Sequence, residues 1–225
     1  MTPTDFLAGA DAREIDQFRE SADKAGCPCL FLLETQEHPL GEDSEKKAAE
    51  GAERMERVLR AAQRMGCSAA GFSLSGPATD KAMELAAKRL KALSTHAERL
   101  DINLLIRPAK GLTEKPESVT ELIKRVGGFR LGALPDFEHA AATGDAVDCL
   151  RRLAPYAPVV LASSVAFDSK GEHKGYSLVE CAEALKSVGY DGAVALDYRG
   201  NDDIEQGLRM TREAIEETLF GAEQE

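Results

Sequence analysis

Short apolar runs and amphipathic helical stretches alternate along this chain so regularly that few folds remain open to it. Apolar runs begin near residues 30, 69, 102, 130, 158 and 193. Between them apolar residues recur three and four apart. Ala48, Ala52, Met55, Leu59, Ala62 and Met65 make one such stripe, and Met83, Ala86, Leu90, Leu93, Ala97 and Leu100 another. Strict alternation of strand and helix specifies a parallel sheet wrapped in helices. The fold class is therefore α/β, and the expected architecture is a (β/α) TIM-type barrel of six to seven strands. It is expected to be incomplete, because a closed eight-stranded barrel takes roughly 250 residues and this chain has 225. No linker or low-complexity tract divides the chain, so residues 1–225 read as a single domain.

The punctuation residues sharpen the boundaries. A helix runs from Asp11 to Lys24 and stops at Gly26, after at most a strand stub at Phe6-Leu7. A strand from Leu30 to Leu33 ends in Glu34, and a long helix from Ser44 to Met65 stops at Gly66. Asp80 reads as the cap of the next helix, Ser118–Glu121 as a capping box, and Asp145 as another cap. Ser177–Glu180 is a second capping box, and Asp203 opens a last helix with Ile204, Leu208, Ile215 and Leu219 expected inward. A polar loop spans Ser163 to Gly175. In GYDGAVALDYRG, residues 189–200, an apolar run delivers Asp197 to the point where strand gives way to loop. Such a run is usually buried on both faces.

Composition excludes several classes of partner. A formal charge of −11 argues against a nucleic-acid backbone, which needs clustered Lys and Arg. No apolar run reaches membrane-spanning length, and the first residues carry no signal-peptide pattern. The cysteines at 27, 29, 67, 149 and 181 lack metal or redox spacing, so reduced thiols and a cytoplasmic location are expected.

In parallel α/β folds ligands bind at the carboxyl ends of the strands. The residues there are Glu34, Ser73 to Ser75, Arg107, Asp136 with Glu138 and His139, Ser163 with Ser164, and Asp197. A divalent-metal site needs three or four carboxylate or imidazole ligands from different strands. Asp136, His139 and Asp197 are the candidates, with Glu34 a further one; each alone reads equally as a solvated loop group or a helix cap.

The stretches ERLDINLLIRP, LGALPDFEHA, LAPYAPVVLASSVAFDSKGE and SVGYDGAVALDYRG resemble the xylose isomerase-like sugar phosphate isomerase/epimerase barrels, which are grouped with endonuclease IV-type barrels. The resemblance spans about Arg13 to Leu219. It implies a barrel whose divalent metal (Mn, Mg, Co or Zn) is held by Glu, Asp, His and Glu at strand ends. The two Glu of that pattern also move protons next to a sugar carbonyl. Position by position, the first Glu falls on Arg107, the Asp on Asp136, and a common following histidine on His139. The strand-seven His falls on Leu161 and the last Glu on Asp197. The chain begins near the family's second strand, so a homodimer covering the gap, or a start placed too late, is expected.

Two functions stay open at this point. One is a metal-dependent isomerase or epimerase acting on a small sugar or hydroxy-ketone, with Asp136, His139 and Asp197 on the metal and Asp197 catalytic. The other is a degenerate, non-catalytic barrel, a pseudoenzyme, that binds an anionic metabolite through Arg107 and Lys110, or a protein partner. In that case Arg107 pairs with Asp136 or Asp197 and replaces the metal by a charge pair. DNA repair of the endonuclease kind is disfavoured by the acidic balance.

Overall fold

The structure is a computed structural model that describes residues 4–221. The chain gathers into two compact units: Met1–Glu114 with Ser118–Gly132, and Lys115–Glu117 with Ala133–Glu225. Each alternates strand and helix as the sequence pattern requires.

The first unit begins with helices α1 (Thr4–Gly9) and α2 (Ala12–Lys24). Strand β1 (Phe31–His38), helix α3 (Glu45–Met65), strand β2 (Ala69–Leu74), helix α4 (Asp80–Leu100) and strand β3 (Asn103–Ile106) follow. Helix α5 (Pro116–Val126) leads to β4 (Leu131–Ala133). The strands form one sheet in the order β1-β2-β3-β4, and β1, β2 and β3 are parallel. All six residues of β2 are buried, as expected of a strand with neighbours on both sides and helices over its faces. Leu32, Met55, Leu59, Phe72, Leu90 and Leu104 fill this unit's interior. With no Trp in the chain, the packing is overwhelmingly aliphatic.

The second unit carries α6 (Phe137–Ala142), α7 (Ala146–Leu153) and a 3-10 turn at Ala154–Tyr156. Then come β5 (Val159–Ser164), α8 (Leu178–Ser187), β6 (Ala193–Tyr198) and α9 (Ile204–Phe220). β5 and β6 pair in parallel and in register, Val159 opposite Ala193 through Ser164 opposite Tyr198. Phe137, Leu150, Leu153, Val160, Leu185 and Ile215 are its buried apolar centre.

Several local expectations are corrected. Phe6-Leu7 lies in a helix, not a strand stub. Thr79 rather than Asp80 caps α4, its hydroxyl accepting the Ala82 N–H at 3.3 Å, and Asp80 sits in the first turn where a negative charge meets the helix dipole favourably. α5 starts at Pro116, whose fixed φ suits a first helical position, so Ser118–Glu121 lies inside the helix. Ile204 is 64% exposed and not inward. β6 is half-buried, with Ala193 exposed, and among the described residues its ladder runs to β5. β1 continues to His38, beyond the expected end at Glu34, and its register with β2 shifts between Leu33 and Glu37.

His38 marks the price of that extension. It is 1% exposed, its Nδ1 lies 2.9 Å from the Gly51 carbonyl oxygen, and its Nε2 has no hydrogen-bond partner among the described residues. Burial lowers its pKa from the usual 6.5, against the opposing field of Glu34 and the Gly51 hydrogen bond. A histidine held neutral binds fewer protons folded than unfolded once pH falls below its ordinary pKa, so stability is present above that pH and lost below it. We expect urea midpoints to fall as pH drops from about 6.5 toward the depressed folded value, with a contribution of at most about 1.4 kcal/mol per pH unit. His38→Gln, which can still donate to the Gly51 carbonyl, removes that component of the pH profile.

Candidate functional site

The second unit brings three strand ends to one face. Asp136 bridges to Leu161 in parallel, with the Leu161 N–H donating to the Pro135 carbonyl at 2.8 Å. Leu161 stands opposite Ala195, and Ser163 opposite Asp197. Side chains two apart in a strand share a face. Asp136, Leu161, Ser163, Ala195 and Asp197 therefore project the same way, and Arg199 follows Asp197 by two residues.

Arg199 is the centre of the arrangement. Its Nη2 donates to Asp136 Oδ2 at 2.6 Å and to Asp197 Oδ2 at 2.7 Å. Its Nη1 donates to Glu138 Oε2 at 2.5 Å and to Asp136 Oδ1 at 3.3 Å, and its Nε to Asp197 Oδ2 at 3.0 Å. Five bonds to three carboxylates match the five N–H groups of a guanidinium. Burial works against the charge on Arg199, but the hydrogen bond and charge of Asp136, and then Asp197, outweigh it and raise the pKa. The guanidinium is thus protonated at any physiological pH.

Asp136 is 1% exposed and has a second function. It is the N-cap of α6, its Oδ1 accepting from the Glu138 N–H at 3.1 Å and the His139 N–H at 3.4 Å. The same oxygen accepts from Ser163 Oγ at 2.7 Å, and Ser163 Oγ accepts from the Glu138 N–H at 2.9 Å. Beyond Ser163, Tyr176 donates its phenolic hydrogen to the Ser163 carbonyl at 2.6 Å. Burial, opposed by the Ser163 hydroxyl, 3.4 Å from the phenol oxygen, and reinforced by Asp136, pushes the Tyr176 pKa up, so the phenol keeps its proton. His173 orders the loop after β5: its Nε2 accepts from the Val165 N–H at 3.0 Å, and its Nδ1 lies 3.0 Å from the Tyr176 carbonyl oxygen.

The candidates named from sequence are thus distributed. Asp136 and Asp197 converge on Arg199. His139 contributes its backbone N–H to Asp136, with its imidazole half-buried on α6. Arg107 follows β3 in the first unit, half-buried, its N–H donating to the Phe72 carbonyl at 2.8 Å, and Lys110 is exposed on the segment beyond. Glu34, also in the first unit, is 1% exposed and accepts from the Gln36 N–H at 2.8 Å and from Arg54 at 3.2 Å. Ser163 is among the strand-end residues of the sequence pattern, whereas Arg199 and Tyr176 are not. Arg199 was within reach of sequence reasoning, since an i, i+2 spacing from Asp197 puts it on the carboxylate face.

The donor set does not fit a divalent ion as arranged. Both oxygens of Asp136 and Oδ2 of Asp197 are engaged by Arg199, Leu161 offers no ligand atom, and among the described residues no group of three or more His, Cys, Asp or Glu is placed to hold a metal. A cation would have to displace the guanidinium.

Parallel strands alternating with helices, and polar groups gathered at strand carboxyl ends, define a β/α barrel-type protein. The sequence profile of the family described as xylose isomerase-like TIM barrel matches residues 1–214, and the chain belongs to that family. A solved structure of D-psicose 3-epimerase in the presence of D-fructose is similar with a TM-score of 0.74 and 17% identity, over 95% of this chain and 85% of that one. A D-tagatose 3-epimerase-like protein gives a TM-score of 0.74 and 19% identity, over 93% and 83%. A xylose isomerase-like TIM barrel protein from Mycobacterium smegmatis, in complex with magnesium, gives 0.66 and 15%, over 93% and 81%. At such identities the likeness establishes the fold. No curated protein sequence matches the chain significantly. Among the described residues no helix is long and apolar enough to cross a membrane.

Removing one partner of a buried ion pair costs about 3–5 kcal/mol, because the other charge is left without compensation. Arg199→Met keeps the length of the side chain and removes all five donors. We expect it to lower stability by about that amount in urea unfolding at neutral pH. Asp136→Asn combined with Arg199→Met is expected to cost less than the sum of the two single changes, as coupled residues do.

Proposed function

We propose that this chain is a sugar-directed member of its family that binds a small sugar or hydroxy-ketone without metal-dependent proton transfer. The observation carrying this reading is the Arg199 guanidinium, bound at 2.6 and 2.7 Å by the two carboxylates to which the family resemblance assigns metal. Proton transfer next to a carbonyl also needs a group that can lose and regain a proton near neutral pH. Arg107 stands where the resemblance puts the first such carboxylate, and a guanidinium cannot serve. The sugar class is supported by the relatives, whose names are those of ketose epimerases. Arg107 and Lys110 are the proposed contacts for an anionic group on the ligand, such as a sugar phosphate.

Metal-dependent isomerisation is the second reading, favoured by the family itself and by the convergence of Asp136 and Asp197 on a single cation. In that reading Asp136, Asp197 and His139 hold Mn, Mg, Co or Zn, Asp197 doubles as the proton-transfer group, and Arg199 must swing away. A bound divalent ion would polarise the substrate carbonyl.

Elemental analysis of the purified protein, together with proton exchange in deuterated water using D-fructose and D-psicose as probes and added Mn2+, separates the two. The binding-only reading expects substoichiometric metal and no deuterium in either ketose. Stoichiometric metal that is lost on Asp136→Ala, or deuterium incorporated at the carbon beside the carbonyl, overturns it.

A further inference from the structure

The amino ends of β1 and β2 hold a feature unrelated to the carboxylate cluster. Cys29 and Cys67 sit two residues before Phe31 and Ala69, which are opposite each other in the parallel ladder. The pairing extends toward them: the Ser68 N–H donates to the Leu30 carbonyl at 3.0 Å, and Ser68 Oγ to the same oxygen at 3.3 Å. Cys29 and Cys67 are the next residues along, one on each chain. Neighbouring strands lie roughly 4.8 Å apart, and that spacing falls inside the roughly 4.4–6.8 Å between Cα atoms that a disulfide spans. The two side chains interact, and the Cys29 thiol also donates to the Phe31 carbonyl at 3.5 Å, a weak bond that a turn of the side chain toward Cys67 gives up.

We infer that Cys29 and Cys67 form a reversible disulfide when the protein meets a peroxide, making this pair a redox modification site. Their environments divide the work. Cys67 is 5% exposed, and its contact with Cys29, together with burial, drives its pKa far upward. Cys29 is half-buried and is the thiol an oxidant reaches. The Cys29 thiolate attacks one oxygen of hydrogen peroxide, the O–O bond breaks, and the departing hydroxide takes a proton to leave as water, with Cys29 as the sulfenic acid. The Cys67 sulfur then attacks the Cys29 sulfur and the S–O bond breaks. The second hydroxide takes the Cys67 thiol proton and leaves as water. Two thiols have given up two electrons, and one peroxide has become two waters.

The bond would lie at the amino ends of the strands, the face of a β/α barrel associated with stability rather than chemistry. It would staple β1 to β2 across a segment that includes all of α3. Cys27 is exposed two residues away, yet it precedes the paired stretch, its Sγ lying 3.6 Å from the Ala25 carbonyl oxygen. It is not part of the pair.

The test is peroxide treatment of the native full chain followed by non-reducing peptide mapping and intact mass. The expected result is a loss of two hydrogens, a crosslink between the peptides carrying Cys29 and Cys67, and a Tm raised by several degrees that dithiothreitol reverses. Cys27→Ser should leave all three unchanged, whereas Cys29→Ser should abolish them. Cys67→Ala serves as a second loss variant, and Cys29→Ser, at a half-exposed position, decides the matter if Cys67→Ala fails to fold. Oxygen addition at Cys27 or Cys29 without the crosslink, or a crosslink involving Cys27, would overturn the inference.

Discussion

One guanidinium holds the second unit's strand ends together. Without Arg199, the Asp136 and Asp197 carboxylates would approach each other from the two sides of β5, Asp136 buried and Asp197 nearly so. Burying like charges at such range is among the most unfavourable arrangements a protein core can contain. With Arg199 between them, both accept hydrogen bonds from one cation, and Glu138 joins from the first turn of α6. The remaining polar contacts build outward from that charge balance. Ser163 bonds to Asp136, Tyr176 to the Ser163 carbonyl, and His173 to the backbone on either side of the loop. Among the described polar groups of this unit, those around Asp136 form one connected network rather than isolated pairs.

The interplay of cation and cluster also explains why the family resemblance and the geometry diverge. A divalent ion and a guanidinium answer the same electrostatic demand, compensation of converging carboxylates, by different means. A metal does so with short coordination bonds and an exchangeable position for substrate. A guanidinium does so with directional N–H bonds and, when all its donors are used, no exchangeable position. Asp197 suits the second solution, since Arg199, just past the end of the same strand, reaches back to it across two residues.

Much of the fold was legible from the chain because its signals are long and redundant. The α3 and α4 stripes repeat over many turns, and β2 and β5 are continuous apolar runs that are buried throughout. Short elements were less so. α6 has only six residues, too few for periodicity, so the sequence leaves Asp136 open as metal ligand, loop group or helix cap, and the structure makes it a cap. Capping itself proved ambiguous where two candidates adjoin, as at Thr79 and Asp80. The carboxylates of the site were visible as strand-end residues. Their partner is harder to read, because Arg199 lies past the end of the apolar run, where a cation reads equally as a solvated loop residue. The orientation of Ser163 and the contact of Cys29 with Cys67 depend on lateral register, which no local pattern encodes.

The double duty of Asp136 bears on how such a chain can change over evolutionary time. A carboxylate that served only a metal would be free to drift once the metal was no longer needed. Asp136 also bridges to β5, starts a helix and accepts a buried serine hydroxyl, so folding alone has a use for it. An aspartate at such a position is needed by the fold whether or not it takes part in a reaction. Its presence in a barrel of this kind reflects the architecture of a strand-to-helix joint as much as any chemistry.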